Sequence, residues 1–306
     1  MNIIEAANNL YLVDLPQNLE GFRKFISCWV VKNGSKAMLV DVGPKSTIPK
    51  LIEALNFLGI KKVEFILLTH IHLDHSGGIA EILERFPDAK VVAHKSAIKH
   101  LINPEKLWKA SLETIGEIAK SYGEPRGISE SNIYSGKPEF AGNSVEIIET
   151  PGHAPHHQSY LFGEFLFIGE CVGVHVPLKN DYYLRPATPP KFYYEPAMAS
   201  LEKILKLGSK RVCFAHFGFK RDSIEIAERA MKQLRLWVST VYDIACRRDI
   251  RDEKEICRIA KEELLEKDTK FSNYRLLDDD IKRREDFFIA NTLKGIQEYV
   301  YETHCI

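Results

Sequence analysis

The sequence predicts a layered α/β fold followed by an all-helical C-terminal extension. Three observations carry that expectation. Short apolar runs alternate with stretches of helical spacing through residues 1–221, the pattern of strands and helices stacked in layers. One run, VEFILLT at 63–69, reads as a continuous apolar strand of the kind buried on both faces. From Ser223 onward only helical spacing with dense charge of both signs remains, which divides the chain into a domain at 1–221 and a helical extension at 222–306.

The elements follow in order. FISCWVVKNGSKAMLVD (25–41) reads as two strands around a tight turn, because Asn33-Gly34 suits a type I′ hairpin whose central residues need positive φ. The second strand runs out at Asp41-Val42-Gly43-Pro44. Ser46 then caps a helix to about Leu58, with Leu51, Ile52, Leu55 and Leu58 on one face. After strand 63–69 come a helix near Gly78–Phe86, a short strand KVVAH (90–94), helical spacing over 95–122 and a turn-rich loop over 123–143. Strands return at SVEIIET (144–150), SYLFG (159–163) and FLFIG (165–169), the last two joined at Gly163-Glu164. A helix over 195–208 precedes the short apolar strand RVCFA (211–215).

Composition narrows the function classes. Lys+Arg and Asp+Glu are both 42 in 306 residues, so the chain lacks the electrostatic footprint of a nucleic-acid or acidic-membrane binder. No apolar stretch approaches the roughly 20 residues that span a bilayer, and the N-terminus lacks a basic segment followed by an apolar one. A cytoplasmic protein is expected. The six cysteines (28, 171, 213, 246, 257, 305) form no CxxC pair and are expected to be reduced, mostly buried thiols. Many charged residues beside many isoleucines point to a thermophilic source.

The chemistry gathers just past strand ends. After VEFILLT come His70, His72, Asp74 and His75; after SVEIIET comes His153; after FLFIG comes Glu170; after RVCFA comes His216. The ends of neighbouring strands meet at one edge of a sheet, so these groups can converge there. Alternate residues of an extended segment point the same way, so His70 and His72 can grip one ion, while Asp74 and His75 lie past the turn and can serve a second. Imidazole with carboxylate suits zinc, and also iron or manganese. Asp41, closing another strand, can hydrogen-bond a ligating histidine and fix its tautomer. His94, His100 and His304 have no such context and read as surface or satisfied core histidines.

These motifs resemble the metallo-β-lactamase-fold hydrolase superfamily. The carriers are His-x-His-x-Asp-His as THIHLDH (69–75), the strand-closing aspartate in LVDVGP (39–44), TPGH (150–153), IGE (168–170) and FAH (214–216), in the family's order. The resemblance implies an αββα sandwich with metals at one edge. It assigns His70, His72 and His153 to a first metal and Asp74, His75 and His216 to a second. Glu170 stands where the family usually has a bridging aspartate, a departure that leaves open whether it bridges or binds one ion. Cys171 beside it is an alternative ligand, though a buried thiol fits it better. TPGHAPHH (150–157) also resembles the glyoxalase II-like branch: His157 falls on that branch's second histidine, and His156 where it often has glycine.

The expected function is therefore a metal-dependent hydrolase, with two zinc ions as cofactors and iron, manganese or a single metal as alternatives. A metal-bound hydroxide would cleave an ester, thioester or lactone carbonyl in a small, partly apolar substrate. Asp74 is the catalytic candidate. DYYLRPATPPKFYY (181–194) lies between two ligand segments, so Tyr182, Tyr183, Arg185, Phe192 and Tyr193, with His157, are the substrate-pocket candidates. Apolar stretches of the extension such as LRLWVSTVYDI (234–244) can pack on the first domain or on a second subunit, which leaves a homodimer open. The alternatives are a one-iron oxidoreductase like the persulfide dioxygenases and, less favoured, a phosphodiesterase or nuclease. No nucleic-acid or membrane partner is expected.

Overall fold

The computed structural model describes residues 2–303; the expectations for His304 and Cys305 lie outside the described residues. The chain divides into two compact units. One comprises Met1–Glu149, His156–Gly169 and Val212–Phe219; the other comprises Thr150–Pro155, Glu170–Arg211 and Lys220–Ile306.

The first unit opens on a six-stranded sheet. β1 (Ile3–Ala7), β2 (Leu10–Asp14), β3 (Ser27–Asn33) and β4 (Lys36–Val40) are antiparallel neighbours, whereas β4, β5 (Lys62–Leu67) and β6 (Lys90–Val92) run parallel. Parallel neighbours need crossovers. These are α1 (Ile48–Phe57) between β4 and β5, then α2 (Leu73–Ser76) and α3 (Ile79–Arg85) between β5 and β6. The β3–β4 turn differs from the expected type I′. Asn33 pairs with Lys36, so Gly34 and Ser35 are the central residues, and of these only Gly34 has positive φ (60°), as type II′ requires. Ser46 does not cap α1 either. Its hydroxyl donates to Gln17, and a short 3₁₀ turn (Lys45–Thr47) leads into the helix.

Next come α4 (Ile98–Ile102), α5 (Glu105–Ile115), α6 (Glu117–Tyr122) and a small hairpin of β7 (Glu139–Phe140) and β8 (Asn143–Ser144). β9 (Glu146–Glu149), β10 (Gln158–Phe162) and β11 (Phe165–Gly169) start a second sheet. The chain then forms β12 (Val174–Pro177), β13 (Tyr182–Arg185) and α7 (Tyr194–Lys206) before adding β14 (Arg211–Phe214) and β15 (Phe219–Lys220), which complete the order β15-β14-β11-β10-β9.

Burial shows how the layers stack. Trp29, Met38 and Leu67 of the first sheet share one core with Tyr160, Phe167 and Cys213 of the second. Residues of the opposite pleat, such as Val30, Leu39 and Ile66, are also fully buried, as are Leu51 and Leu55 of α1. A sheet buried on both faces needs another layer on its outer side, and an amphipathic helix supplies it.

The second unit holds the β12–β13 hairpin, α7 and the C-terminal helices α8 (Ser223–Tyr242), α9 (Glu253–Lys267) and α10 (Asp279–Thr303). Asp222 and Asp252 cap α8 and α9, their carboxylates accepting from Ile224 N at 2.9 Å and Glu255 N at 2.8 Å. α8 buries Ile226, Ala227, Ala230, Leu234, Trp237 and Val241 as a helical stripe. Two sequence expectations are corrected in this unit. Arg185 is not open to a substrate: it is buried, with Nε donating to Glu285 Oε2 at 2.6 Å, and Arg284 holds the other carboxylate oxygen at 2.9 Å. Cys246 is disulfide-bonded, while Cys28, Cys171, Cys213 and Cys257 are reduced thiols as expected. Among the described residues no helix is long and apolar enough to cross a membrane.

Candidate metal centre

In the first unit the ligand groups lie where β4, β5 and β14 end. The end of β5 is held from the second sheet: Gln158 N donates to Thr69 O at 2.8 Å, and Tyr160 OH donates to Leu68 O at 2.7 Å. Trp29 Nε1 donates to Phe214 O at 2.8 Å and Ser27 Oγ to Ala215 O at 3.1 Å, which pins the segment carrying His216.

Asp41 organises this region. It is 2 % exposed, and its φ of 52° turns the chain sharply out of β4. Oδ1 accepts from Thr69 N at 2.8 Å; Oδ2 accepts from Thr69 Oγ1 at 2.8 Å and faces His75 Nδ1 at 3.0 Å. A carboxylate can only accept, so His75 Nδ1 carries a proton. Thr69 Oγ1 gives its proton to Asp41 and therefore accepts from His70 Nδ1 at 3.1 Å, so His70 Nδ1 carries a proton as well. His70 Nε2 lies 3.0 Å from His72 Nδ1, the two rings standing edge to face. His216 follows the same rule: its Nδ1 donates to Phe25 O at 3.1 Å, and the Phe25 ring stacks on it with centroids 4.4 Å apart.

Asp74 sits in the first turn of α2, with Oδ2 3.5 Å from His75 Nε2. One donor atom each from Asp74, His75 and His216 lies within 4.8 Å of the others. His156 and His157 flank the same corner, their rings 6.4 and 5.4 Å from that of His70. His157 is fully buried against Gly169, where an added Cβ would stand 2.2 Å from His157 Nε2. Only glycine fits that approach, and its φ of 61° suits glycine as well.

In the second unit His153 and Glu170 form a pair. His153 Nδ1 donates to Ala187 O at 2.9 Å, and its Nε2 lies 3.0 Å from Glu170 Oε2. The TPGH segment is seated on α7: Ser200 Oγ donates to Pro151 O at 2.7 Å, and a Cβ on Gly152 would stand 2.6 Å from that of Ala197. His153 and Glu170 also line a small cavity of about 30 Å³ whose walls include Val172, Pro186, Phe192 and Leu201. Cys171 lines it too, and burial pushes its thiol up to about 12.

The remaining pocket candidates divide. Phe192 lines this cavity. Tyr182 and Tyr183 are buried, the Tyr183 hydroxyl donating to Glu285 at 3.1 Å, and Tyr193 is 44 % exposed. Sequence reasoning missed Ala230, Gln233 and Leu234 of α8, which also line the cavity. Their i, i+3, i+4 spacing was visible, but which surface that stripe meets was not.

Residues 21–216 match the family model of the metallo-beta-lactamase superfamily. The metallo-beta-lactamase fold-containing protein ST1585 of Sulfurisphaera tokodaii is 30 % identical over 231 residues, covering 73 % of this chain and 84 % of that one. The crystal structure of ST1585, described as an archaeal metallo-beta-lactamase superfamily protein, superposes with a TM-score of 0.67 at 24 % identity, covering 94 % of this chain and 98 % of that one. A hydroxyacylglutathione hydrolase of Buchnera aphidicola is 29 % identical over 159 residues, 51 % of this chain and 52 % of its own.

The chain belongs to the metallo-β-lactamase superfamily, with the αββα sandwich of that fold and a C-terminal helical region. It carries the His/Asp/Glu metal-binding cluster of a metallo-hydrolase.

Proposed function

We propose that this metallo-hydrolase cleaves an ester, thioester or lactone carbonyl in a small, partly apolar substrate, using a dinuclear zinc centre. As the motif resemblance assigns them, His70, His72 and His153 would hold one ion and Asp74, His75 and His216 the other, with Glu170 bridging them or binding one. The observation that carries the reading is the tautomer pattern. His70, His75, His153 and His216 each commit Nδ1 to an oxygen, so Nε2 is the ring atom each would offer a metal. Two imidazoles with a carboxylate, brought together in the first unit as Asp74, His75 and His216, are donor chemistry that suits zinc.

Bound divalent ions lower the pKa of water towards about 7 and polarise a carbonyl oxygen. The protein's own groups do the rest. Asp41 and the carbonyls of Phe25 and Ala187 keep the imidazoles in the binding tautomer. Asp74 accepts a hydrogen bond from the attacking water and orients it towards the carbonyl carbon. The hydroxyacylglutathione hydrolase relatives support the thioester side of this reading.

Metal content per chain, measured by elemental mass spectrometry on protein purified without added metal or chelator, tests it. About two zinc ions per chain are expected, with hydrolysis of aryl esters, thioesters or lactones. About one iron with little zinc, together with oxygen uptake on thiol substrates, would overturn it.

A further inference from the structure

The C-terminal helix α10 reaches His153 through a short strap of chain, residues 185–191. His153 Nδ1 donates to Ala187 O in the middle of this strap at 2.9 Å. The strap runs along one side of α10. Arg185 is tied to Glu285 at its start. Thr292 Oγ1 donates to Pro186 O at 3.2 Å, and Thr188 Oγ1 donates back to Thr292 O at 3.0 Å. Lys191 N donates to Glu298 Oε2 at 3.1 Å. Glu285, Thr292, Gly295 and Glu298 follow at spacings of seven, three and three residues, which places them on one side of a helix. Thr188 and Thr292 are both buried, so water does not compete for their reciprocal bonds.

Gly295 lets the strap lie this close. A Cβ there would stand 2.1 Å from Thr188 O and 2.5 Å from Pro189 O. Glycine weakens a helix interior, so a buried glycine within α10 calls for a reason of this kind. The strap's carbonyls alternate. Pro186 O and Thr188 O lie against α10, and Ala187 O between them meets His153. Successive peptide units of an extended chain face opposite ways, so holding 186 and 188 on the helix also sets the direction of 187.

We propose that α10 orients the His153 imidazole, with Thr292 and Gly295 as positioning residues that act through the strap and Ala187 O. The inference rests on the reading above for the role of His153 as a metal ligand. It gives the helical extension a part in the site: α10 supplies no ligand, but it holds the carbonyl that keeps the His153 proton on Nδ1 and Nε2 turned to the metal.

The readout is the imidazole itself, in full-length protein freed of metal by chelator. Histidine-selective ¹⁵N labelling with two-bond ¹H–¹⁵N spectra reports the tautomer of each ring, and His153→Gln assigns the His153 signals. In the native protein His153 should carry its proton on Nδ1. Thr292→Val keeps the side-chain shape and removes the hydroxyl. It should mix the two His153 tautomers, and Thr292→Ser should restore the native pattern. His216, whose Nδ1 donates to Phe25 O in the first unit, is the control and should not change. Thr188→Val breaks the reciprocal bond from the strap side and should act in the same way, so it decides the matter if Thr292→Val fails to fold. An unchanged His153 tautomer in the folded variant would overturn the proposal. So would a change shared equally by His216, which would mark general loosening.

Zinc titration against a chromogenic chelator separates this inference from the metal reading. Thr292→Val should weaken binding of one ion about tenfold, and Thr292→Ser should recover it. Native protein that takes up no zinc, while His153 still responds to Thr292→Val, refutes the zinc reading and leaves the positioning role standing. Zinc held equally by native protein and Thr292→Val, with His153 unresponsive, does the reverse.

Discussion

Asp41→Asn should disable metal binding while leaving the fold almost intact. Asparagine tolerates the positive φ of 52° at this position, so the backbone turn survives. Oδ1 can go on accepting from Thr69 N, 2.8 Å away. The group at Oδ2 becomes an NH₂, which donates where the carboxylate accepted. His75 Nδ1, 3.0 Å away, must then accept, and its proton moves to Nε2. Thr69 Oγ1 must also turn its hydrogen, towards His70 Nδ1 at 3.1 Å, which pushes the His70 proton onto Nε2 as well. One substitution thus blocks a donor atom in each proposed metal set. Loss of such supporting partners costs about 10–100-fold in metal affinity, about 1.4–2.7 kcal/mol per ion. The metal-free protein should lose no more than about 1.5 kcal/mol, because neutral hydrogen bonds replace charged ones. Equilibrium dialysis against buffered zinc with elemental mass spectrometry reads the first quantity; urea unfolding with chelator reads the second. An Asn variant that holds zinc with native affinity would refute the tautomer argument. So would metal loss that merely tracks a large loss of stability.

Two further outcomes follow from the packing. Burial works to raise the Glu285 carboxyl, but Arg185 and Arg284 outweigh it and hold the group at about 2, below its ordinary 4.5. A lowered folded value contributes stability that is present above pH 4.5 and lost as pH falls towards 2, on the order of 3 kcal/mol in all. Glu285→Gln should flatten that acid loss in urea titrations at pH 7 and pH 3, and should cost about 3–5 kcal/mol at neutral pH by leaving the arginines unbalanced; an unchanged pH slope would refute the assignment. Gly169→Ala should lower Tm clearly more than Gly34→Ala. Both have φ near 60°, but the first puts a Cβ 2.2 Å from His157 Nε2 and the second meets nothing within 4 Å. The difference, about 1–3 kcal/mol, is the overpacking alone.

The legible features were those whose cause is local or repeats along the chain. Strand β5 could be read because a strand flanked by parallel neighbours must be apolar on both faces, and its end then had to carry THIHLDH to the sheet edge. The helical extension could be read from periodicity. Asn33-Gly34 shows the limit of dipeptide rules. Both residues favour positive φ, but the pairing of Asn33 with Lys36 shifted the turn one residue on, so only Gly34 uses that freedom. Ser46 shows another limit, since a side chain suited to capping was drawn to Gln17 instead. Arg185 was misread for a stronger reason: its partner Glu285 lies 100 residues away. No local pattern distinguishes an arginine that awaits a carboxylate ligand from one already satisfied by the fold.

The carboxylates divide by the charge that faces them. Glu285 is surrounded by guanidinium charge, and the ion group closes within the protein. Asp41 and Asp74 face histidine rings instead, and Glu170 faces His153. A histidine balances a carboxylate only when it carries a second proton, and that proton would occupy the Nε2 lone pair. The Nδ1 contacts to Phe25 O and Ala187 O show that the fold spends one proton per ring on orientation. An arginine would have solved the charge problem permanently, as it does for Glu285. Choosing histidine leaves the negative charge available to a metal ion, which is the arrangement a hydrolytic centre requires and a structural ion pair does not.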